Sequence, residues 1–495
     1  MLDIYNAVGK ALDSGKEVQV VFCDISKAFD RVWHKELLYK LELAGISGKV
    51  LKWLQNYLEN RQQRVVINSQ SSNWKNVKAG VPQGSILGPL MFLIYINDIV
   101  CNIQSTIKLF ADDTTLYIVV DSPQIASDIL NRDLQKINIW SKKWLVKFNP
   151  AKTECLIFSN KRKAVTSPNL VFDNCHLNSV TTHKHLGLVF SSDGSWSNHI
   201  NYILEKASKR LNVLRKFKFK VDRKSLETIY FSYIRPILEY ADIVWDNITK
   251  DMCDKLEKIN LEAARIVTGA TKLTSLNKLY IESGWDTLQQ RRQNHKIIQF
   301  HKMTFGYTPT HIQKLIPPKI CESHRHNTRN SENLSQIRCR SNLYERSFLP
   351  STTILWNNLP NEIKTNPSIS NLKRFLNKDK HVVPQYYNQG TRNEQILHAR
   401  LRMGCSTLKQ HLYGKKFAEN PYCCCGEIES TEHFLLKCPQ YTHLRNAYIQ
   451  NLPLDVTLNL LLYGNKDLSL DINKEIFKAV QCFIVKSKRF QRNNE

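Results

Sequence analysis

The eight residues FADDTTLY, 110–117, set two aspartates side by side between apolar, β-branched arms. Burying one carboxylate is costly, and burying two in contact is worse unless a cation lies between them. A fold that contains this stretch must keep Asp112 and Asp113 at an edge and supply a counter-charge. IKLF and TTLYIVV read as the two arms of a hairpin with the pair at its tip. A second apolar run, VQVVFC at 18–23, ends at Asp24 and reads as a strand buried on both faces. Laid beside the hairpin, it would bring three carboxylates to one edge of one sheet. Such a trio would hold two Mg²⁺ ions about 3.5–4 Å apart. One ion lowers the pKa of an attacking hydroxyl, and the other holds the leaving phosphate oxygens. An isolated Asp-Asp pair is usually a surface turn; the apolar flanks argue against that here.

The remaining pattern supplies the frame. Leu37, Leu38, Leu41, Val50, Leu51, Leu54 and Leu58 are at helical spacing and predict two helices broken by Gly45 and Gly48. QQRVVIN is a short strand, GVPQGSILGPL a Gly/Pro loop, and SILGPLMFLIYINDIV a helix despite Pro89. Ser122 and Pro123 cap and open a helix carrying Ile125, Ile129, Leu134, Ile137 and Trp140. LVKFN and ECLIFS form a strand pair around PAKT. The order suits an α+β fold, an antiparallel sheet with helices on one face. From about 198 to 306 the chain is helical, with Ile200, Leu204, Ala207, Leu211 and Leu214 as one apolar stripe. Residues 205–224 hold nine Lys and Arg against two acids, so the opposite face is basic. Residues 307–395 are richer in Pro, Asn and Ser and read as loop-rich or partly disordered. A compact segment starts near 396.

Charge then bears on the partner. Seventy Lys and Arg against 44 Asp and Glu leave a formal +26, which favours a polyanion. At 495 residues the chain is too long for one core, and two to four domains are expected. The longest apolar run, LMFLIYI, is too short to span a membrane. The N-terminus lacks a signal-peptide core, and the thirteen cysteines are mostly single, which suits free thiols in an intracellular setting, cytoplasm and nucleus.

One group of cysteines is not scattered. Cys423, Cys425, His433 and Cys438 follow C-x-C-x7-H-x4-C within 16 residues. Three thiolates and an imidazole fit tetrahedral Zn²⁺. Usual fingers place two or more residues between the first pair, so the single-residue gap is a departure, and Cys424 could replace either neighbour. EHFLLKCP reads as a short helix presenting His433 and Cys438 on one face. The plainer alternative is free thiols beside a core histidine.

These segments together resemble a known family. FADDTTLY resembles the catalytic hairpin of reverse transcriptases, and FCDISKAFDRVWHKELLYKL their first aspartate motif. GVPQGSILGPLMFLIYINDI resembles the loop that meets template and nucleotide. WLVKFNPAKTECLIFS and HLGLVFSSDGSW are similar to the two motifs that follow. The wording KAFDRVWH, PQGSILGPLMFLIYIND and NPAKTE resembles non-LTR retrotransposons, the jockey-like and related LINE groups.

The resemblance implies an RNA-directed DNA polymerase that extends a DNA primer on an RNA template, using deoxynucleoside triphosphates and two Mg²⁺ ions. It implies a right-hand polymerase palm with partial fingers at 1–195, a helical thumb or connector at 196–306, a loop-rich linker at 307–395 and a zinc-binding C-terminal region at 396–495. Asp24, Asp112 and Asp113 would hold the metal, with the Ile25 carbonyl as a further ligand. Phe29 would stand against the sugar, where a ring clashes with a 2′-hydroxyl. Gln83 and Gly84 would meet nucleotide and template, glycine because a side chain blocks the approach. Lys152 would protonate departing pyrophosphate. Leu186 and Gly187 would grip the primer, and 198–243 would track the duplex backbone. The Cys/His segment resembles a Cys-Cys-His-Cys element near the end of such reading frames, and ARLRMG, with Arg400 and Arg402, recurs beside it. Family members carry finger strands and an endonuclease upstream, so the chain reads as an N-terminally truncated part of a longer frame. The alternative function is a catalytically inactive remnant that only binds nucleic acid. A metal-dependent nuclease shares the carboxylates but leaves the Gln83 loop unexplained.

Overall fold

Glu17–Cys23 is a strand whose seven residues are all buried. In a computed structural model that describes residues 1–161, 169–323, 332–452 and 454–491, this strand is the middle of a five-stranded sheet. The order is Asn178–Val180, Glu154–Phe158, Glu17–Cys23, Asp113–Val120, Thr106–Phe110. Both neighbours of the central strand run antiparallel to it, pairing Cys23 with Thr114 and Phe22 with Glu154. Thr106–Phe110 and Asp113–Val120 form the expected hairpin, closing on the pair Phe110 and Asp113. The outer strand Asn178–Val180 runs parallel to its neighbour.

Alternation along the central strand sends Val21 and Cys23 to one face and Phe22 to the other. The first face packs on His34–Leu43, Leu87–Ile96 and Pro123–Lys143 through Leu37, Leu41, Phe92, Tyr95, Leu130, Leu134 and Ile137. The second face is covered too, which corrects the expectation of helices on one side. Leu2–Asp13 lies there, and Phe22, Phe158, Phe190, Trp196 and Tyr5 form a chain of aromatic contacts. A strand without a polar face requires both covers. The expected helix pair is present as His34–Leu43 and Gly48–Leu58, with left-handed Gly45 between them and left-handed Gly48 opening the second. Pro89 is tolerated because it lies in the first turn of Leu87–Ile96, where no intrahelical bond is lost.

The chain divides into two compact units, Met1–His199 with Arg338–Pro350, and Ile200–Ile337 with Ser351–Glu495. The returning segment of the first unit is tied down at Asp13. Its carboxylate accepts from the Arg340 and Ser341 backbone N–H groups at 2.9 and 2.7 Å and from the Ser341 hydroxyl at 2.7 Å.

The second unit is helical, led by Lys250–Thr268, Leu288–Thr304, Arg392–Met403 and Leu470–Lys486. The stretch expected to be loop-rich contains short helices, among them Phe348–Asn357 and Ile369–Leu376; its residues 324–331 lie outside the described residues. Arg392 and Arg400 donate to the carbonyls of Val267, Ile266 and Gly269 at the end of Lys250–Thr268. They occupy acceptors that a helix C-terminus leaves unpaired. Among the described residues no helix is long and apolar enough to cross a membrane, and all thirteen cysteines are free.

Candidate functional site

The register of the central sheet decides where the acids stand. Cys23 pairs with Thr114, so the residue that follows one and the residue that precedes the other, Asp24 and Asp113, lie at the same end of adjacent strands. Ala111 and Asp112 form the two-residue connection of the hairpin, and Ala111 takes a left-handed φ of 52°. Such tight hairpin turns need a positive φ. All three aspartates are half-buried. Burial first, then the charges of Asp112 and Asp24, holds the Asp113 carboxyl above the usual carboxylate range, while His183 pulls it down. The Asp113 carboxyl thus feels both neighbours as like charge. Hard oxygen donors of this kind suit a hard divalent cation, although the three carboxylates are not drawn together as tightly as Cys423, Cys425, His433 and Cys438.

Asp24 is continued by a second set of backbone bonds. Asn149 N–H donates to the Asp24 carbonyl at 2.8 Å, and Ser26 N–H donates to the Lys147 carbonyl at 2.8 Å. They flank the isolated bridge of Ile25 with Phe148, so the Ile25 carbonyl points away from Phe148. The Asn149 carbonyl also accepts from Lys152 N–H at 3.1 Å in the turn Pro150–Lys152, which ties the backbone of the exposed Lys152 to that of Asp24.

The loops around Phe29 and Gln83 form one unit. Gly80 N–H donates to Val32 and Val81 N–H to Phe29, each at 2.7 Å, while His34 Nε2 donates to the Gly80 carbonyl at 2.7 Å. A Cβ on Gly80 would lie 2.8 Å from the Phe29 carbonyl oxygen. The Gln83 amide donates to Asp30 at 2.9 Å, and the Phe29 ring rests on Phe92 with centroids 4.9 Å apart. Gly84 has a φ of 81° and open space around it. Its requirement within the protein is therefore conformational, not steric. Gly80 and Asp30 are the partners that sequence reasoning missed here.

Leu186 and Gly187 are the left-handed pair, φ 46° and 80°, at the tip of the 182–191 hairpin. Below the tip, burial pushes His185 down to about 4. This neutral ring is hydrogen-bonded to Thr115 at 3.1 Å, tying the hairpin to the strand that bears Asp113. His183 stacks on Phe22 at 3.9 Å and meets Glu154 at 2.6 Å. Neither His183 nor Glu154 was singled out from sequence, because an alternating His-Lys-His edge has no distinctive spacing.

The basic helix is realised as Ser197–Phe217 and buries Ile200, Ile203, Ala207, Leu211 and Leu214. Not every cation of the 205–224 run faces outward. Arg223 is buried and pairs with Glu282 at 2.7 Å. Arg402 is buried on the same carboxylate at 2.7 and 2.9 Å, over the Tyr387 ring.

Cys423, Cys425, His433 and Cys438 converge, with ligand atoms all within 4.8 Å of one another. No other set of three or more described His, Cys, Asp or Glu residues closes up in that way. Cys425 Sγ is 3.2 Å from His433 Nε2, and Cys423 Sγ is 3.8 Å from Cys438 Sγ. The one-residue gap works because Cys423 N–H donates to Glu427 and Gly426 N–H to Cys423, around a left-handed Gly426. Cys424 turns its thiol toward Gln440, at 3.3 Å, although it remains 3.8 Å from Cys423 Sγ. His433–Lys437 is a π-turn, and Cys438 N–H donates to the His433 carbonyl at 2.7 Å. An i→i+5 turn stacks residues five apart, which a regular α-helix does not. Arg445 donates to the Cys438 carbonyl at 2.5 Å from behind.

Comparison with known proteins matches residues 4–202 to the family described as reverse transcriptase (RNA-dependent DNA polymerase). The chain is 25% identical to the probable RNA-directed DNA polymerase from transposon BS of Drosophila melanogaster, over 58% of this chain and 33% of that protein. It is 27% identical to the RNA-directed DNA polymerase from mobile element jockey of the same organism, over 54% and 30%. It is 23% identical to the Pol polyprotein from type-1 retrotransposable element R1 of Bradysia coprophila, over 88% and 42%. The chain spans about a third of the length of the first of these relatives.

Proposed function

We propose that this chain, whose residues 4–202 match the reverse transcriptase family, is the polymerase portion of a non-LTR retrotransposon, an RNA-directed DNA polymerase extending a DNA primer on an RNA template. The observation that carries the reading is the register that sets Asp24 beside Asp113 at one end of the sheet. In this reading the sheet and its helices, 1–195, are the palm with partial fingers, 196–306 the thumb or connector, 307–395 the linker and 396–495 the C-terminal region.

Two Mg²⁺ ions held by Asp24, Asp112, Asp113 and the Ile25 carbonyl would activate the primer 3′-hydroxyl and neutralise the leaving pyrophosphate. The protein's own groups do the rest. Phe29, braced on Phe92, bars a 2′-hydroxyl from the nucleotide position. The loop of Gln83 and Gly84 is held at its root by the bonds from Gly80 and Val81, so its backbone can meet nucleotide and template without reorganising. Lys152 carries the proton for pyrophosphate. Leu186 and Gly187 hold the primer end, anchored through His185 and Thr115. Cys423, Cys425, His433 and Cys438 form a donor set suited to Zn²⁺, and Cys424 lies outside it. That module handles RNA or DNA, while Arg402 braces the fold. Free cysteines throughout suit an intracellular setting, cytoplasm and nucleus.

The test is extension of a labelled DNA primer on an RNA template with Mg²⁺ and deoxynucleoside triphosphates. Asp112→Asn should lower extension by roughly 10²–10³-fold or more. Unchanged extension would place the chemistry elsewhere. Hybrid binding that persists in EDTA, without extension by the wild-type chain, selects a remnant that binds nucleic acid without catalysis.

A further inference from the structure

The short ladders between Arg61 and Lys78 have no part in the site described so far. Gln62–Gln63 pairs with Lys75–Asn76, and Val66–Ile67 pairs with Gln70–Ser71 across left-handed Asn68 and Ser69. Every residue in these four strands is exposed. Val65, Val66, Ile67 and Trp74 are between 57% and 66% exposed. A two-stranded hairpin with no buried face is marginal in water. Large apolar side chains held out on one are costly unless something binds them.

The charge pattern says what binds. Residues 60–78 contain Arg61, Arg64, Lys75 and Lys78 and no acid. The Arg64 guanidinium sits 4.6 Å from the Trp74 ring centroid, and that of Arg61 lies 5.4 Å from the Tyr57 ring at the end of Gly48–Leu58. Aromatic faces paired with guanidinium planes on an acid-free basic hairpin suit unpaired bases and their phosphates. The hairpin's root leads to the candidate site. Val77 N–H donates to Arg61, and three residues on, Gly80 N–H donates to Val32, in the loop that reaches Gln83.

We propose that the 61–78 hairpin is a stacking platform for single-stranded nucleic acid, the unpaired template strand entering the carboxylate site. Naming the strand as template rests on the polymerase reading. The platform itself rests on the hairpin's exposed aromatics and cations.

The experiment is fluorescence anisotropy with the full chain in EDTA, so that binding is read without turnover. Three probes are compared: a primer–template duplex with an unpaired RNA overhang of about twelve nucleotides, the same with a DNA overhang, and a blunt duplex. The wild-type chain should prefer the overhangs. The double variant Arg64→Ala/Trp74→Ala should lose about ten-fold in overhang affinity and keep its blunt-duplex affinity. Trp74→Phe should restore most of the loss. An equal loss on both overhangs assigns the platform to any single strand, and a loss on RNA alone assigns it to the RNA template. The proposal is overturned if the double variant, with an unchanged thermal melt, keeps the overhang preference. It is also overturned if blunt duplex is lost equally, or if polyglutamate competes as well as single-stranded RNA. A wild-type chain that prefers overhangs yet never extends a primer sinks the polymerase reading alone. A chain that extends but whose overhang preference ignores Arg64 and Trp74 sinks the platform alone.

Discussion

Glu282 is a buried carboxylate between two buried guanidiniums, Arg402 and Arg223. Burial pushes its pKa up, but Arg402 and then Arg223 outweigh that and hold it below the ordinary glutamate range. Glu282→Gln would leave two cations without their counter-charge, at a cost of about 3–5 kcal/mol in unfolding free energy, measurable by urea titration. The pH sign follows from the depressed pKa. The stabilisation is fully present above the unfolded value of about 4.3 and is lost as pH falls through the lower folded value. The gap between wild type and variant should therefore narrow as the pH is taken below about 4. A gap that is flat with pH would mean that the carboxylate charge does not carry the effect.

A second contrast at this scale concerns two glycines in one loop. Gly80→Ala puts a methyl 2.8 Å from the Phe29 carbonyl oxygen, whereas Gly84→Ala meets only the left-handed penalty of about 1–2 kcal/mol. Thermal melts should show Gly80→Ala as the more damaging change.

At the scale of elements, the 182–191 hairpin keeps Leu186 in a left-handed conformation that side chains other than Gly, Asn and Asp adopt at a cost. Leu186→Asn should raise hairpin stability by some tenths of a kcal/mol to about 1 kcal/mol. If the leucine serves the primer end, the same change should weaken extension, so that melting temperature and activity move in opposite directions. The His433–Lys437 π-turn makes a parallel case. If the Cys/His set holds Zn²⁺, deleting Leu436, which shortens the interval to Cys438 to an α-helical four, should abolish zinc binding. Retention of one zinc would mean that Cys424 or another group had replaced a ligand.

These elements also show what could be read from sequence. The acid-tipped hairpin and its buried neighbour were legible, since period-2 arms and unbroken apolar runs are strong signals of half-buried and fully buried strands. Four cysteine and histidine positions within 16 residues were equally plain. The π-turn was not, because one turn is too short to distinguish its period from that of an α-helix. Nor were the one-turn helices of 307–395, such as Thr310–Gln313 and Asn361–Lys364, which complete only about one period. Arg223 looked like one more solvated cation, since its partner Glu282 is 59 residues away. Gly80 and Asp30 escaped notice for the same reason.

For the whole molecule, the formal charge of +26 predicts steep salt dependence. If about six to ten phosphates are neutralised, affinity for an RNA–DNA hybrid should fall roughly 10³–10⁵-fold between 50 and 200 mM salt. A shallow slope would mean that the excess cations serve solubility and not binding.

Whether one ion bridges Asp24 with Asp112 and Asp113, as the polymerase reading requires, can be measured without any catalytic turnover. Fe²⁺ substituted for Mg²⁺, with ascorbate and peroxide, generates radicals that cut the backbone beside the ion. Cuts are expected both near Asp24 and near the 111–113 turn, suppressed by excess Mg²⁺ and lost together in Asp112→Asn. Cleavage confined to one of the two segments, or persisting at both in the variant, would contradict a shared ion.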